Sequence, residues 1–350
     1  MATKHNYLRA ACFERPDTIP MLFDINPSCW NHYPQEALLD LMEGHRLLFP
    51  SFVRPSGEYR PVYHPVARKG RPYRDDFGCW WSTSEDGITG VVTKHPLSDW
   101  ESLKSYTPPD PEACMGIGPI DWKAETGRMA EIRKRDGMVH SGLRHGHTFL
   151  QLCDLRGYEN LMADMADGEP RLWALIEMVE HFNARIVANY AAMNVEVMGY
   201  ADDLGMQCGP MISPQHFRRY IKPSYKRLIK IAADKGIAIH MHSDGDIKTL
   251  ADDLTDSGVQ ILNLQDRVNG IDWIAAKYRG KLCVDLDIDR QSVTPRGSPA
   301  QIDALVREGV EKISTPLGGL IMTYGLYPGL PLENVKAVMD AMERYAYYHN

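Results

Sequence analysis

The feature that most constrains the fold is a repeated alternation of short apolar runs with longer helical patterns, which runs from about Gly137 to the end of the chain. Such alternation is typical of βα units arranged around a parallel sheet. The apolar runs predict six strands, at residues 138–143, 195–200, 237–242, 259–264, 281–286 and 320–324. Helical periodicity predicts helices between or after them, at residues 171–193, 214–235, 299–313 and 332–348.

Two further apolar runs, at residues 19–23 and 47–53, flank a helical pattern at residues 35–44. They bring the predicted strands to the eight that close a (β/α)8 TIM barrel, and we expect residues 1–350 to form this one domain. An open doubly wound sheet is the alternative. It would normally carry a glycine-rich phosphate loop, and the chain contains neither Gly-x-Gly-x-x-Gly nor Gly-x-x-x-x-Gly-Lys-Ser/Thr.

A long insertion, residues 55–136, is expected after the second strand, on the catalytic face of the barrel. Between Asp75 and Lys94 it alternates aromatic and β-branched residues about a turn at residues 86–87, which predicts an inserted β-hairpin that forms a lid. Its aromatic residues Phe77, Trp80 and Trp81 either pack the hairpin against the rim or wall the substrate pocket. We expect one or two of them to contact substrate.

Charge and composition exclude several classes of function. A net charge of −7 with no basic stripe argues against a nucleic-acid partner. No apolar run is long enough to cross a bilayer, and because the first fifteen residues carry charges and include no apolar segment followed by a cleavage site, we expect no signal peptide. Its seven cysteines are scattered, without a Cys-x-x-Cys pair, which favours a reduced, cytoplasmic setting.

The strongest local signal for chemistry is His240-Met-His242-Ser-Asp244-Gly-Asp246 at the end of the fifth predicted strand. Alternate residues of a strand point to one side, so the two histidines share a face. Unpartnered buried imidazoles and carboxylates are unfavourable, which favours a solvated, functional strand end with His242 as the leading candidate. The alternative is an ordinary turn in which Asp244 or Asp246 caps the following helix.

Polar residues follow several other predicted strands. Only one of the adjacent carboxylates Asp202 and Asp203 can face the pocket, and we expect it to be Asp203. The remaining candidates at strand ends are Arg144, His145, Gln207, Gln265 and Asp287. Convergence of polar side chains from different strand ends is what an active site in a barrel requires. The residues alone predict acid/base or metal-assisted chemistry on a small organic molecule.

Several motifs, taken in their order along the chain, indicate a family. They are Arg9-Ala-x-x-Phe13-Glu-Arg-Pro-Asp17-x-Ile-Pro20, Asp202-Asp203-x-Gly205-x-Gln207-x-Gly209-Pro-x-Ile-Ser213-Pro, Lys222-Pro223, His242-Ser-Asp-Gly-Asp-Ile247 and Pro331-Leu-Glu-Asn334. With these motifs the chain resembles the uroporphyrinogen decarboxylase superfamily, and within it the branch of corrinoid-dependent methyltransferases. The resemblance covers nearly the whole chain, and it implies a (β/α)8 barrel that forms a homodimer.

The resemblance also shows where the chain departs from its relatives. The decarboxylases carry arginines just after the first strand, where this chain has residues 21–30 without arginine and with Asp24 and Asn26 as expected substrate contacts. The thiol-methylating relatives hold zinc with a His-x-Cys pair and a later cysteine, whose positions are taken here by His242, Asp244 and Tyr324. Loss of both thiolates argues against that zinc site.

The resemblance therefore implies an O-demethylase-type methyltransferase, which moves a methyl group from a small donor, a methoxylated aromatic, to the cobalt of a corrinoid (cobalamin) carried by a partner protein. The alternatives are a decarboxylase or lyase acting on another acid and a non-catalytic subunit that docks a corrinoid protein. Catalytic roles are expected for His242, Asp244, Tyr324 and Asp203. Substrate contacts are expected for Asp24, Asn26, Phe77, Trp80, Arg144, His145, Gln207, Gln265 and Asp287.

The residues leave open whether the site binds a metal ion. The candidate ligands are His242, Asp244 and Asp287, but only His242 and Asp244 lie together near one strand end. Two ligands are too few for tight zinc binding unless a third, such as Asp287 or Asp203, comes from another strand. We therefore expect zinc to be absent or weakly held, with His242 acting through a proton.

Overall fold

The structure is a computed structural model that describes residues 5–350. Apolar runs form short strands, most of them buried. In chain order the strands are β1 Met21–Ile25, β2 Tyr73–Arg74, β3 Trp80–Ser82, β4 Val91–Lys94, β5 His140–Gly142, β6 Val197–Ala201, β7 Gly205–Met206, β8 Gly209–Pro210, β9 Ala238–His242, β10 Ile261–Gln265, β11 Cys283–Asp287 and β12 Leu320–Leu326.

Helices fill most of the segments between the strands. In chain order they are α1 Asn6–Ala11, α2 Cys29–His32, α3 Gln35–Gly44, α4 Trp122–Lys134, α5 Phe149–Arg156, α6 Tyr158–Asp167, α7 Arg171–Ala192, α8 Pro214–His216, α9 Lys222–Ala233, α10 Ala251–Thr255, α11 Asp266–Asn269, α12 Ile271–Tyr278, α13 Val293–Arg296, α14 Pro299–Ile313 and α15 Leu332–Ala346. A π-helical turn, Phe217–Ile221, joins α8 to α9, and short 3-10 helices form at Pro65–Ala67 and Trp100–Ser105.

The chain divides into two compact units. The first comprises the described residues up to Arg71 together with Ser82–Gly90 and Asn263–Asn350, and the second comprises Pro72–Trp81 and Val91–Leu262. The chain passes from the second unit to the first within β10. The boundary therefore falls inside a strand.

The first unit contains the parallel strands β1, β12 and β11, in that order, followed by the last residues of β10. All five residues of β11 are buried, as expected for a strand of a parallel sheet that is covered on both faces. Helix α14 buries Ile302, Val306, Val310 and Ile313, whose spacing of three or four residues places them on one face.

The second unit contains the parallel strands β5, β6 and β9, in that order, followed by the first residues of β10. In the register of this sheet Gly199 of β6 lies beside His240 of β9, and Ala201 lies beside His242. The long helix α7 is amphipathic and buries an apolar stripe that begins with Leu172, Leu175 and Ile176. The pairing of β5 with β6 and of β6 with β9 places the carboxyl ends of these three strands side by side.

The seven strands of this sheet, alternating with helices, give an α/β fold of the TIM-barrel-like class. All six strands predicted after Gly137 form, with ends that differ by a few residues. The strand predicted at residues 19–23 forms as β1. Among the described residues no helix combines the length and the apolar character needed to cross a membrane.

The strand predicted at residues 47–53 is wrong, because this described segment forms turns. The backbone N–H of Phe49 donates to the carbonyl of His45 at 3.0 Å, and that of Phe52 donates to the carbonyl of Phe49 at 3.1 Å. Pro50 between them has no N–H to offer a neighbouring strand. The apolar run therefore satisfies its backbone locally, and the described residues contain seven strands of this sheet where eight were expected.

The inserted segment carries a small sheet of its own, with β3 between β2 and β4. Tyr73 pairs with Trp81 and Arg74 pairs with Trp80 in antiparallel register. β3 and β4 are joined by residues 83–90, which contain the predicted turn at residues 86–87. Strands β3 and β4, on either side of this turn, were thus expected from sequence. The role of the segment as a lid remains a prediction.

Asp202, just after β6, is fully buried and ties three elements of the second unit together. Its carboxylate accepts hydrogen bonds from the backbone N–H groups of Thr148, Phe149 and Leu150, at 3.3, 2.6 and 3.0 Å, where α5 begins. It also accepts one from the hydroxyl of Tyr225 in α9, at 2.6 Å. A carboxylate at a helix N-terminus satisfies N–H groups that lack partners within the helix.

Replacing Asp202 by Asn should lower the free energy of unfolding by about 3 kcal/mol, because an amide offers one acceptor oxygen and places a donor against the helix N–H groups. Equilibrium unfolding in urea measures the change. Tyr225→Phe is the matched control, since it removes only one of the four hydrogen bonds and should cost about 1 kcal/mol. Equal losses in the two variants would contradict this account of Asp202.

Candidate active site

His242 lies at the carboxyl end of β9, on the face that the apolar residues of the strand leave open. Ile239 and Met241 are fully buried, whereas His240 and His242 alternate with them and are partly exposed. The shared face predicted for the two histidines is therefore present. His242 is the nearer of the two to the strand end.

Asp203 points to the same place from the end of β6. Its Oδ1 atom lies 3.5 Å from Nε2 of His242 and accepts a hydrogen bond of 3.0 Å from the backbone N–H of Asp244. The adjacent Asp202 points away, toward α5, so only one of the two carboxylates faces the histidines, as expected. The strand end thus directs Asp203 to the site and Asp202 to the core.

His145 completes the group from the loop after β5. Its Nε2 atom lies 3.3 Å from Oδ1 of Asp203, and its ring centroid lies 5.6 Å from that of His242. A backbone hydrogen bond of 2.7 Å, from the N–H of Gly146 to the carbonyl of Ala201, holds this loop beside the end of β6. Two imidazoles therefore flank one carboxylate.

The electrostatics of the group follow from this arrangement. Burial alone would raise the pKa of Asp203, but hydrogen bonds and positive charge from His145 and His242 outweigh it and hold that pKa well below its usual range. The two rings therefore favour the ionised form of Asp203. One ligand atom from each residue, His145, Asp203 and His242, lies within 4.8 Å of the others, a spacing that a metal ion could bridge.

Two glycines make this convergence possible. Gly205 and Gly245 meet backbone to backbone, and a Cβ atom added to Gly245 would overlap the carbonyl carbon of Gly205. The loops around them are joined by hydrogen bonds from Gly205 N–H to the carbonyl of Asp244 (3.2 Å) and from Asp246 N–H to the carbonyl of Met206 (2.7 Å). We call this contact the glycine lock.

Asp244 lies beside the group but outside its closest contacts. Its Oδ1 atom is 3.9 Å from Nε2 of His242, and 44% of its side chain is exposed. Asp244 contributes its backbone N–H, which donates a hydrogen bond to the carboxylate of Asp203. Gln207 is exposed in the turn between β7 and β8, four residues after Asp203.

Arg144, expected to orient substrate, lies in a buried ion-pair cluster. Its Nη2 atom donates to Asp154 at 2.8 Å, and its Nη1 atom lies 3.8 Å from Asp75. Burial raises the pKa of Asp154 to about 6, and the charge of Arg144 opposes that rise. With only 4% of its side chain exposed, Arg144 joins the inserted segment to α5 in this structure.

The aromatic residues of the inserted segment separate into two kinds. Phe77 is buried against Phe182, with ring centroids 4.9 Å apart. Trp81 is also buried, and its indole N–H donates to Asp75 at 2.8 Å. Trp80, by contrast, is 39% exposed. Packing explains Phe77 and Trp81. Trp80 is the most exposed of the three, and Nζ of Lys94 lies 5.9 Å from the centroid of its ring.

Five further candidates, Asp24, Asn26, Gln265, Asp287 and Tyr324, belong to the first unit. Asp24 is exposed on β1, and Gln265 is half-buried at the end of β10. Asn26 accepts hydrogen bonds from the N–H and the hydroxyl of Ser28, at 2.9 and 2.6 Å. Their roles toward a substrate remain predictions.

Asp287 and Tyr324 have partners within the first unit. Asp287 is buried and pairs with Arg290 at 2.7 Å. The hydroxyl of Tyr324 donates to Thr294 at 3.1 Å, and burial raises the pKa of Tyr324 above its usual value. This makes Tyr324 a weaker acid than a solvated tyrosine.

The sequence matches a known protein family. A model of the uroporphyrinogen decarboxylase (URO-D) family matches residues 75–345, which is more than half of the chain. The chain belongs to the uroporphyrinogen decarboxylase family. The match includes His145, Asp203 and His242, so the whole cluster lies within the family domain.

Individual relatives of the family agree with this assignment. Uroporphyrinogen decarboxylases from two strains of Thermus thermophilus are each 26% identical over 187 residues, or 51% of this chain and 50% of theirs. The chain thus matches about half the length of these curated relatives. Among solved structures, a methyltransferase from Methanosarcina mazei has a similar fold, with a TM-score of 0.61, 18% identity and 97% coverage of both chains.

The glycine lock gives a testable consequence for this family member. Gly245→Ala should lower the free energy of unfolding by about 3 kcal/mol or more, since Gly245 has a φ of +82° and a Cβ atom would meet the backbone of Gly205. Urea unfolding measures this loss.

Gly236→Ala is the matched control, because Gly236 has a φ of +73° but no neighbouring atom within 4 Å of the position that a Cβ would take. It should lose only the strain of the left-handed conformation, about 1–2 kcal/mol. If the two variants lose the same free energy, the close backbone approach has no energetic role, and our account of the lock is wrong.

Proposed function

We propose that the protein is a methyltransferase that moves a methyl group from a methoxylated aromatic to the cobalt of a corrinoid carried by a partner protein. The observation that carries the proposal is the meeting of His145, Asp203 and His242 at neighbouring strand ends. Membership of the uroporphyrinogen decarboxylase family and the fold shared with a methyltransferase support it. A homodimer is part of the same proposal.

The chemistry of a methyl ether explains why such a cluster would be needed. Transfer of the methyl group leaves the electron pair of the C–O bond on oxygen, and an alkoxide or phenoxide is a poor leaving group. A proton or a Lewis acid must therefore reach that oxygen as the bond breaks. The cluster offers both possibilities, because His242 can carry a proton stabilised by Asp203, and the three side chains can hold a metal ion.

The aromatic character of the donor rests on Trp80. Its partly exposed ring lies in the second unit, as the cluster does. An aromatic donor could stack on it if the side chain of Lys94, which lies over the ring, moved aside. The corrinoid, when bound, would supply the nucleophilic metal that accepts the methyl group. Orientation of the donor for in-line transfer would contribute as much as the proton or the Lewis acid does.

Decarboxylation is the second candidate, because the curated relatives are uroporphyrinogen decarboxylases. Residues 21–30 contain no arginine to neutralise the carboxylates of a tetrapyrrole, and Asp24 is exposed within that segment. A carboxylate at this point would repel an anionic substrate. We therefore favour methyl transfer over decarboxylation of a porphyrinogen.

The test is a single-turnover assay with a reduced corrinoid protein and a panel of methoxybenzoates and methoxyphenols. We expect the absorbance of a methylated corrinoid together with one equivalent of free phenol. His242→Ala should slow the reaction by roughly 100-fold or more, the usual contribution of a group that assists a leaving oxygen. His181→Ala, which removes an exposed imidazole on α7, should leave the rate unchanged.

Two outcomes would contradict the proposal. Release of carbon dioxide from a carboxylic acid without any corrinoid would show a decarboxylase. Binding of the corrinoid protein with no turnover of any donor in the panel would indicate a docking subunit.

A further inference from the structure

The cluster in the second unit has the composition of a metal centre. Two imidazole nitrogens and one carboxylate oxygen are a ligand set used for zinc and for non-haem iron. His145 and Asp203 lie in the loops after β5 and β6, and His242 is the last residue of β9. Catalytic metal sites typically take three ligands from the protein and leave a position open.

The distances within the cluster are long for hydrogen bonds and also suit coordination of one metal ion. Nε2 of His145 and Nε2 of His242 lie 3.3 and 3.5 Å from Oδ1 of Asp203. Hydrogen bonds between nitrogen and oxygen are most often ~2.9–3.0 Å long. Ligand atoms about 2.1 Å from a tetrahedral metal ion lie about 3.4 Å from one another, which is the spacing found between each imidazole and Asp203.

The surroundings favour a cation and let one enter. A second carboxylate, that of Asp244, lies 3.9 Å from Nε2 of His242. The side chains of Asp203, His242 and His145 are 24%, 27% and 53% exposed, so the group opens to solvent on the side of His145. The glycine lock holds Asp203 and His242 in place without a metal, which reduces the entropy lost on binding.

We propose that His145, Asp203 and His242 form a binding site for one divalent transition-metal ion, with zinc as the reference ion. The ligand set differs from the His-x-Cys and cysteine set that the resemblance implied. The expectation that zinc is absent or weakly held counted two ligands, His242 and Asp244, with a possible third from another strand. The structure supplies two more ligands near His242, namely Asp203 and His145.

The experiment measures metal binding without any methyl donor, so it is independent of the proposed function. The purified protein is stripped with a chelator, titrated with zinc and with cobalt(II), dialysed, and examined by elemental analysis and visible absorption. We expect one equivalent of metal per chain, with the visible bands of four- or five-coordinate cobalt(II). His145→Ala, Asp203→Asn and His242→Ala should each weaken binding by at least ~100-fold.

Two controls separate loss of ligands from loss of fold. His181→Ala removes an exposed imidazole of α7 that is not part of the cluster, and this variant should bind metal as the parent protein does. Circular dichroism should show the same secondary structure for every variant. Should the parent protein retain no metal after dialysis, or should His145→Ala bind zinc as tightly as the parent, the proposed site is wrong. Methyl transfer in a protein that binds no metal would reject the site and leave the proposed function intact.

Discussion

The close approach of Gly205 and Gly245 is the constraint on which the candidate site depends. Asp203 follows strand β6 and His242 ends strand β9. Strand pairing positions the residues within the strands but not those in the loops after them. The loops beyond them diverge unless their backbones are joined. Because neither glycine has a Cβ atom, the two loops can approach until their backbones are in contact. Two backbone hydrogen bonds then join the loops. This contact holds Asp203 beside His242, and the hydrogen bond from Gly146 to Ala201 holds the loop of His145 nearby. The low pKa of Asp203 follows from its position between the two imidazoles.

The same region shows how two adjacent carboxylates acquire different roles. Strand geometry sends Asp202 and Asp203 in opposite directions. Asp202 meets the N-terminus of α5 and the hydroxyl of Tyr225, and it stabilises the scaffold. Asp203 meets the two histidines. The buried cluster of Arg144, Asp154 and Asp75 acts similarly to Asp202, because it anchors the inserted segment to α5.

Much of the fold could be predicted, because it depends on patterns that lie close together in sequence. Short apolar runs followed by helical periodicity identified seven strands of the sheet and the helices α3, α7, α14 and α15. The segment at residues 47–53 misled the prediction, since its composition suits a strand while its backbone forms turns around Pro50. Periodicity reports which side chains are apolar, and it does not report where their backbone hydrogen bonds go.

The candidate site was predictable in part for the same reason. His242 and Asp203 stand out because each follows a strand within a few residues. The position of His145 beside them could not be read from sequence, because it depends on the order of strands β5, β6 and β9 in the sheet. The sequence also did not show which of these side chains are buried. Arg144 and Trp81 have the chemistry of ligand-binding residues, but each hydrogen-bonds to a carboxylate inside the protein. Spatial neighbours from distant segments decide these cases.

The central claim is that one carboxylate and two imidazoles from three strand ends meet at a single point that suits a metal ion. Anomalous diffraction at the zinc absorption edge, from crystals grown with one equivalent of zinc, tests it most directly. We predict one strong peak per chain at about 2.1 Å from His145, Asp203 and His242. A peak elsewhere in the chain, or a structure in which His145 points away from Asp203, would contradict the account.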